Sequence, residues 1–279
     1  MITGRQLRSH IIVALCFGAV ALALLPLALI LAYVIERGVT SISWSFLTEM
    51  PKPVGESGGG MANAIVGSLF VIAIAAAFAV PIGVCTGIYL AEFRDRLASA
   101  IRFAADVLNG VPSIVIGIFA YAVVVLPLRH FSALAGAFAL GVMMIPIVVR
   151  TTEELLRLVP ESLREGALAL GATRARATFS VVVPAALPGI ITGVLVAIAR
   201  IAGETAPLLF TAFNNRFFTA DPRQPISTLT VQIFTYAIAP YDEWHRQAWA
   251  GALVLIAMIL VFSIAARLAT RRLERMTRA

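Results

Sequence analysis

The chain has 279 residues, 60% of them hydrophobic and only 13% charged, with a mean hydropathy of +0.92. A soluble domain with so few charges would lack the polar surface that keeps it in solution, which leaves the membrane class. The formal charge of +7 does not point to nucleic acid, because the arginines lie between apolar runs, and Cys16 and Cys85 sit inside such runs and define no disulfide or metal framework.

A membrane-crossing helix needs about 20 apolar residues. In chain order the runs 11–34, 64–90, 107–128, 131–149, 185–210 and 248–266 qualify, which predicts an all-α membrane protein with six transmembrane helices. The first run follows Arg5 and Arg8. Its apolar core is too long for a signal peptide, and no clean small-residue cleavage pattern follows, so it reads as an uncleaved anchor. A proline and glycine linker, PKPVGESGGG at 51–60, separates it from the rest. The division that results is an anchor helix with external linker over 1–60, a membrane-spanning core over 61–267 and a basic tail over 268–279. Pro81, Pro112 and Pro146 are read as helix kinks, and Asn63, Asn109 and Ser113 as bonds between neighbouring helices. In the segment 214–247, the apolar stretch 226–239 is too short to cross and suggests a re-entrant or interfacial piece. Trp44, Trp244 and Trp249 fall near span ends, as an aromatic belt would. The chain carries no Walker motif, no Cys/His cluster and no nucleophile elbow, so it does not hydrolyse ATP by Walker-type chemistry.

Charge gives the orientation. One set of segments holds most of the 22 Lys and Arg: the N-tail (Arg5, Arg8), the loop after the second run (Arg94, Arg96, Arg102), the segment between the fourth and fifth runs (Arg150, Arg157, Arg164, Arg174, Arg176) and the C-tail (Arg267, Arg271, Arg272, Arg275, Arg278). The opposite segments hold Arg37, Lys52, Arg129, Arg216, Arg223 and Arg246, spread over longer loops. The positive-inside rule places the first set, and so both termini, in the cytoplasm.

The cytoplasmic segment 150–184 contains a short helix in its pattern. Pro160 suits a first helical turn and Glu161 an N-terminus; Leu163, Ala167 and Leu170 recur on one face. Gly171 is placed to stop the helix, with Arg174 and Arg176 beyond it. An ordinary amphipathic linker would read the same way. The longer pattern is more specific: Glu165-Gly166-Ala167, three residues, Gly171, nine residues, Val181, one residue, Val183-Pro184. It resembles the signature loop of the permease subunits of ABC importers, with Gly166 in place of an alanine and Val181 and Val183 in place of isoleucine and leucine. Gly166 weakens the helix by roughly 1 kcal/mol relative to alanine.

Further motifs extend the resemblance over residues 60–270. They are Asn63-Ala64 with Gly67-Ser68, Gly87-Ile88-Tyr89-Leu90-Ala91-Glu92, Pro112-Ser113-Ile114-Val115, Pro146-Ile147-Val148-Val149-Arg150-Thr151-Thr152-Glu153, and the run from Ala199-Arg200 through Glu204-Thr205 to Phe210. Together they are similar to the A-type permease of the phosphate-specific ABC importer. That resemblance implies a type I ABC importer permease fold with a cytoplasmic coupling helix, in a bacterial or archaeal cell membrane. It implies a C-type second permease, a dimeric ATPase that binds ATP and Mg, and a phosphate-binding protein. It also makes Glu165, Gly166, Ala167, Leu170 and Gly171 the coupling residues, with no cofactor in this chain.

Arg200 is the basic residue inside an apolar run, and a charge at that depth must find a partner. Glu204 lies one helical turn on, on the same face. The two could neutralise each other structurally, or they could line the route of an anion, with the Thr205 hydroxyl beside them. Arginine offers forked donors and ionised glutamate only acceptors, a combination that favours phosphate, which keeps a proton, over sulfate. A secondary transporter would share the Arg/Glu pair but not the signature loop. A permease for another oxyanion would share the loop, and the acidic Glu204 argues against it.

Overall fold

The computed structural model describes residues 4–53, 56 and 58–277. Val54, Gly55 and Ser57 of the expected linker and the last two residues of the expected tail lie outside them. The described residues form helices and no strand. In chain order these are α1 (Gly4–Val39), α2 (Trp44–Thr48), α3 (Ala62–Glu92), α4 (Arg96–Gly110), α5 (Ser113–Ala120), α6 (Leu126–Leu128), α7 (Ala133–Arg157), α8 (Glu161–Ala169), α9 (Arg174–Ala177), α10 (Val183–Ala202), α11 (Ala206–Leu209), α12 (Leu229–Ala237) and α13 (Asp242–Thr277). Two π-helical segments, Tyr121–Val125 and Thr178–Val182, join α5 to α6 and α9 to α10. Each precedes a proline, Pro127 and Pro184. The proline ring would meet the carbonyl four residues back, and widening the turn there relieves the clash.

Among the described residues, five helices are long and apolar enough to cross a membrane: Arg8–Val39, Ala62–Glu92, Ala133–Arg157, Arg174–Ala202 and Asp242–Ala265. A sixth span exists only if α4 and the stretch Ser113–Leu128 count as one, and these meet at 105°. The expected span 107–128, read with a kink at Pro112, is therefore corrected to a broken one that starts earlier, at Arg96. Pro112 removes a backbone donor and biases Val111 away from helix, so the chain turns between Gly110 and Ser113. The arm before the turn carries Arg96, Arg102 and Asp106 and has an amphipathic pattern suited to a membrane surface. The fifth span is shifted as well, to Arg174–Ala202 instead of 185–210. Gly203 is a weak helix former, and a helical Pro207 would clash with its carbonyl.

At the centre α3 lies along α7, burying Val71, Ala75 and Ala79 against Leu140, Met144 and Val148. Small residues permit the close approach: a Cβ added at Gly83 would stand 2.7 Å from that of Val148. Ala197 and Ile201 of α10 and Leu208 of α11 complete this core. A second cluster joins Phe46, Met61, Leu229, Tyr236 and Ala248 from α2, α3, α12 and α13. The stretch 226–239 contributes α12, a nine-residue helix with Leu229, Val231 and Tyr236 buried, and not a surface loop. The helix α1 rests on α13, with Tyr33 edge-on to Trp249 at 5.1 Å, and its most apolar stretch buries nothing within the chain.

Candidate coupling surface and anion path

The helix α8 forms where the sequence places it. Pro160 is its N-cap, with φ −55° and ψ 134°, and not its first helical residue. At the other end the Ala172 amide donates to the Ala167 carbonyl (3.1 Å) and the Gly171 amide to the Leu168 carbonyl (2.9 Å), with Gly171 at φ +84°. This is the Schellman arrangement, and it depends on the left-handed conformation that glycine adopts without strain. No residue of α8 is buried. Leu163, Leu168 and Leu170 are 45%, 39% and 91% exposed, and Glu165 and Gly166 are also open to solvent. A helix of about two and a half turns that leaves Leu163 and Leu168 uncovered, with Leu170 open at its C-cap, presents an unburied apolar face. Thr173 then caps α9 by accepting from the Arg176 amide at 3.3 Å, and the chain returns toward the membrane.

An ion pair ties α8 to the spanning helices. Arg164 Nη1 donates to both carboxylate oxygens of Glu92 at the end of α3, at 2.6 and 2.5 Å. Beside it is a cleft of about 250 Å³ lined by Glu92, Glu161, Arg164, Leu168 and Arg174. Deeper lies a second cluster. Glu153 of α7, 1% exposed, accepts from Arg102 (2.6 Å), Arg157 (2.7 Å) and Arg150 (3.2 Å). Arg102 also donates to the Leu90 and Phe93 carbonyls, and Arg150 to Asp106. The corner between α3 and α4 is closed by Asp95, which accepts from the Ala98 amide (2.8 Å) and the Tyr89 hydroxyl (2.9 Å). The Ala98 amide, and next the Tyr89 hydroxyl, hold the Asp95 carboxyl below its usual pKa. Sequence reasoning used Arg102 and Arg164 only as orientation signals and Glu92 and Glu153 only as motif members, and paired none of them. The available signal was an acid at the end of each of two spans, close to the arginine-rich segments.

At the far end of α10 the structure departs from the expected helical pair. The helix ends at Ala202, so Glu204 is not one turn beyond Arg200 on the same face. No ion pair joins them among the described residues. Arg200 is exposed within the single chain, while Glu204 and Thr205 are half-buried. The Glu204 carbonyl accepts from Thr230 Oγ1 of α12 at 2.9 Å, and the Thr205 carbonyl accepts the Leu208 and Leu209 amides, both at 3.1 Å. Asn63 bonds a loop and not a neighbouring helix: its Nδ2 donates to the Asn215 carbonyl at 2.7 Å. Counted from Arg174, Arg200 lies about 39 Å along the axis, more than the roughly 30 Å of a hydrocarbon core.

Comparison with known proteins agrees with this architecture. Residues 83–278 match the family described as binding-protein-dependent transport system inner membrane component. The phosphate transport system permease protein PstA of Yersinia pestis is 44% identical over 94% of this chain and 90% of its own. The probable phosphate transport system permease protein PstA of Methanocaldococcus jannaschii is 35% identical over 96% of each chain. Among solved structures, the alginate ABC transporter superposes with a TM-score of 0.69 at 12% identity, over 95% of each chain. The inward-facing MetNI methionine ABC transporter gives 0.64 at 17% identity, over 76% of this chain and 95% of the other. At such low identity these two establish the fold, while the sequence relatives match nearly the whole length of the chain. The chain therefore belongs to the family of binding-protein-dependent transport system inner membrane components, and within it to the PstA-type permeases.

Proposed function

We propose that this permease subunit carries phosphate into the cell as half of a translocation pathway driven by a separate ATPase. A permease of this family is not catalytic alone. On this reading the other half is a C-type phosphate permease, a dimeric ATP-binding subunit holding ATP and Mg docks on α8, and a phosphate-binding protein delivers substrate from outside. The coupling contacts are Glu165, Gly166, Ala167, Leu170 and Gly171; Arg200, Glu204 and Thr205 line the anion route; both termini are cytoplasmic. The observation that carries the reading is the continuous helix Arg174–Ala202. It begins just after the exposed coupling helix and ends with an exposed Arg200 beside a backbone break. The guanidinium is the anion-binding donor, and its exposure within one chain suits a pathway completed by a second permease.

The test is ATP-dependent phosphate uptake, with sulfate competition, in the assembled complex. Arg200→Leu is expected to lower uptake by about 100-fold, the scale of losing a charged donor to the anion. Arg200→Leu with Glu204→Leu is expected to stay equally inactive, and Glu204→Gln to weaken discrimination against sulfate. Recovery of the double variant to the parent rate would remove these residues from the pathway.

A further inference from the structure

The Arg164–Glu92 ion pair joins two parts of the molecule that the proposed function needs to connect. The helix α8 has no buried residue, so apolar packing does little to fix it to the membrane core. The nearby apolar cluster, built on Leu156, Val182, Ala186 and Ile190, belongs to α7, the second π segment and α10. Arg164 and Glu92 are 26% and 16% exposed, and one guanidinium nitrogen reaches both carboxylate oxygens. Among the described residues this is the ion pair between α8 and a spanning helix.

Glu92 is the last residue of α3, and α3 runs unbroken back to Ala62. Near the opposite end, buried Ser68 accepts the Leu229 amide at 2.7 Å. The next residue along, Thr230, donates its hydroxyl to the Glu204 carbonyl at 2.9 Å. Ser68 and Glu92 are about 36 Å apart along the helix axis. One continuous helix, with Pro81 inside it, thus has the coupling helix pinned to one end and the Glu204 backbone tied, through α12, to the other.

We infer that Glu92 and Arg164 are a positioning pair: they transmit displacement of α8 into α3 and so to the break at Glu204. The inference rests on the reading of this chain as an ATP-driven phosphate permease. Contact continuity alone does not establish such a link, and measured coupling does.

The experiment uses the whole complex in proteoliposomes, with binding protein and phosphate outside, and records phosphate uptake and ATP hydrolysis together. The variants are Glu92→Gln, Arg164→Gln and the reversed pair Glu92→Arg with Arg164→Glu. Each single variant is expected to retain its ATPase and to hydrolyse ATP within about twofold of the parent, while phosphate moved per ATP falls about tenfold, the scale of a coupling free energy between sites. The reversed pair is expected to restore that ratio to within about threefold, as pairwise coupling predicts. A fall of uptake and hydrolysis in the same proportion would overturn the inference, as would a reversed pair that assembles and stays uncoupled. If the single variants fail to assemble, the reversed pair is read alone by the same ratio. Failure of all three to assemble would make the pair an assembly contact and would also overturn the inference. A parent complex that hydrolyses ATP but imports no phosphate would instead remove the functional reading on which it rests.

Discussion

Gly171, at φ +84°, sits in a region that costs a residue with a Cβ roughly 1–2 kcal/mol, and a Cβ there would meet no atom within 4 Å. Its requirement is therefore conformational and not steric. Gly171→Val is expected to insert normally, lose the Schellman end of α8 and lower uptake by about tenfold or more, since a β-branch adds stiffness to the strain. Normal uptake would reduce the loop to a connector. Glu153 has the opposite character. It is buried and surrounded by three arginines, which are 20%, 30% and 46% exposed. Glu153→Ala leaves their charges without the shared acceptor, and after allowance for that exposure the cost is about 2–3 kcal/mol. Arg157→Gln, at the most exposed of the three, is expected to cost under about 1 kcal/mol. Thermal unfolding of the detergent-solubilised complex compares them, and equal shifts would mean Glu153 is not the centre of the cluster.

Among the elements, the break after α10 separates what the sequence could and could not show. Residues 206–210, Ala-Pro-Leu-Leu-Phe, continue the apolar composition, so a hydropathy reading runs through them. Gly203 and Pro207 were the visible stop signals, and they outweigh composition because a missing amide and a ring clash act on the backbone directly. Gly110 and Pro112 made the same local decision in the third span. The stop at Gly171 was legible because every group involved is local. The Arg164–Glu92 contact was not, because its partners are 72 residues apart and only the packing of α3 brings them together. Gly203→Ala with Pro207→Ala is expected to extend α10 and bring Glu204 one turn from Arg200. The helix gains roughly 1 kcal/mol at the first position and up to about 3 at the second. A higher melting temperature with uptake lowered about tenfold or more is the expected exchange of stability for activity. Unchanged uptake would make the break incidental.

For the whole molecule the spans were readable because lipid imposes both their length and their composition. Orientation is a separate matter and can be measured directly. Arg174→Cys, in a chain with Cys16→Ala and Cys85→Ala, is expected to react with an impermeant thiol reagent only from the cytoplasmic face; labelling of intact cells from outside would reverse the topology and remove the coupling role of α8. The π segment Thr178–Val182 lies between Arg174 and Arg200 on one continuous span. A π turn holds one residue more than an α turn, so all that follows is rotated by about 100° relative to an uninterrupted helix. With that residue taken up, Arg174 and Arg200 stand about 20° apart in azimuth; as a plain α-helix they would stand about 80° apart. Passing the extra residue in or out of the turn would swing Arg200 around the axis while leaving the length and hydropathy of the span almost unaltered. A push received at α9 can therefore arrive at the Arg200 end as a swivel.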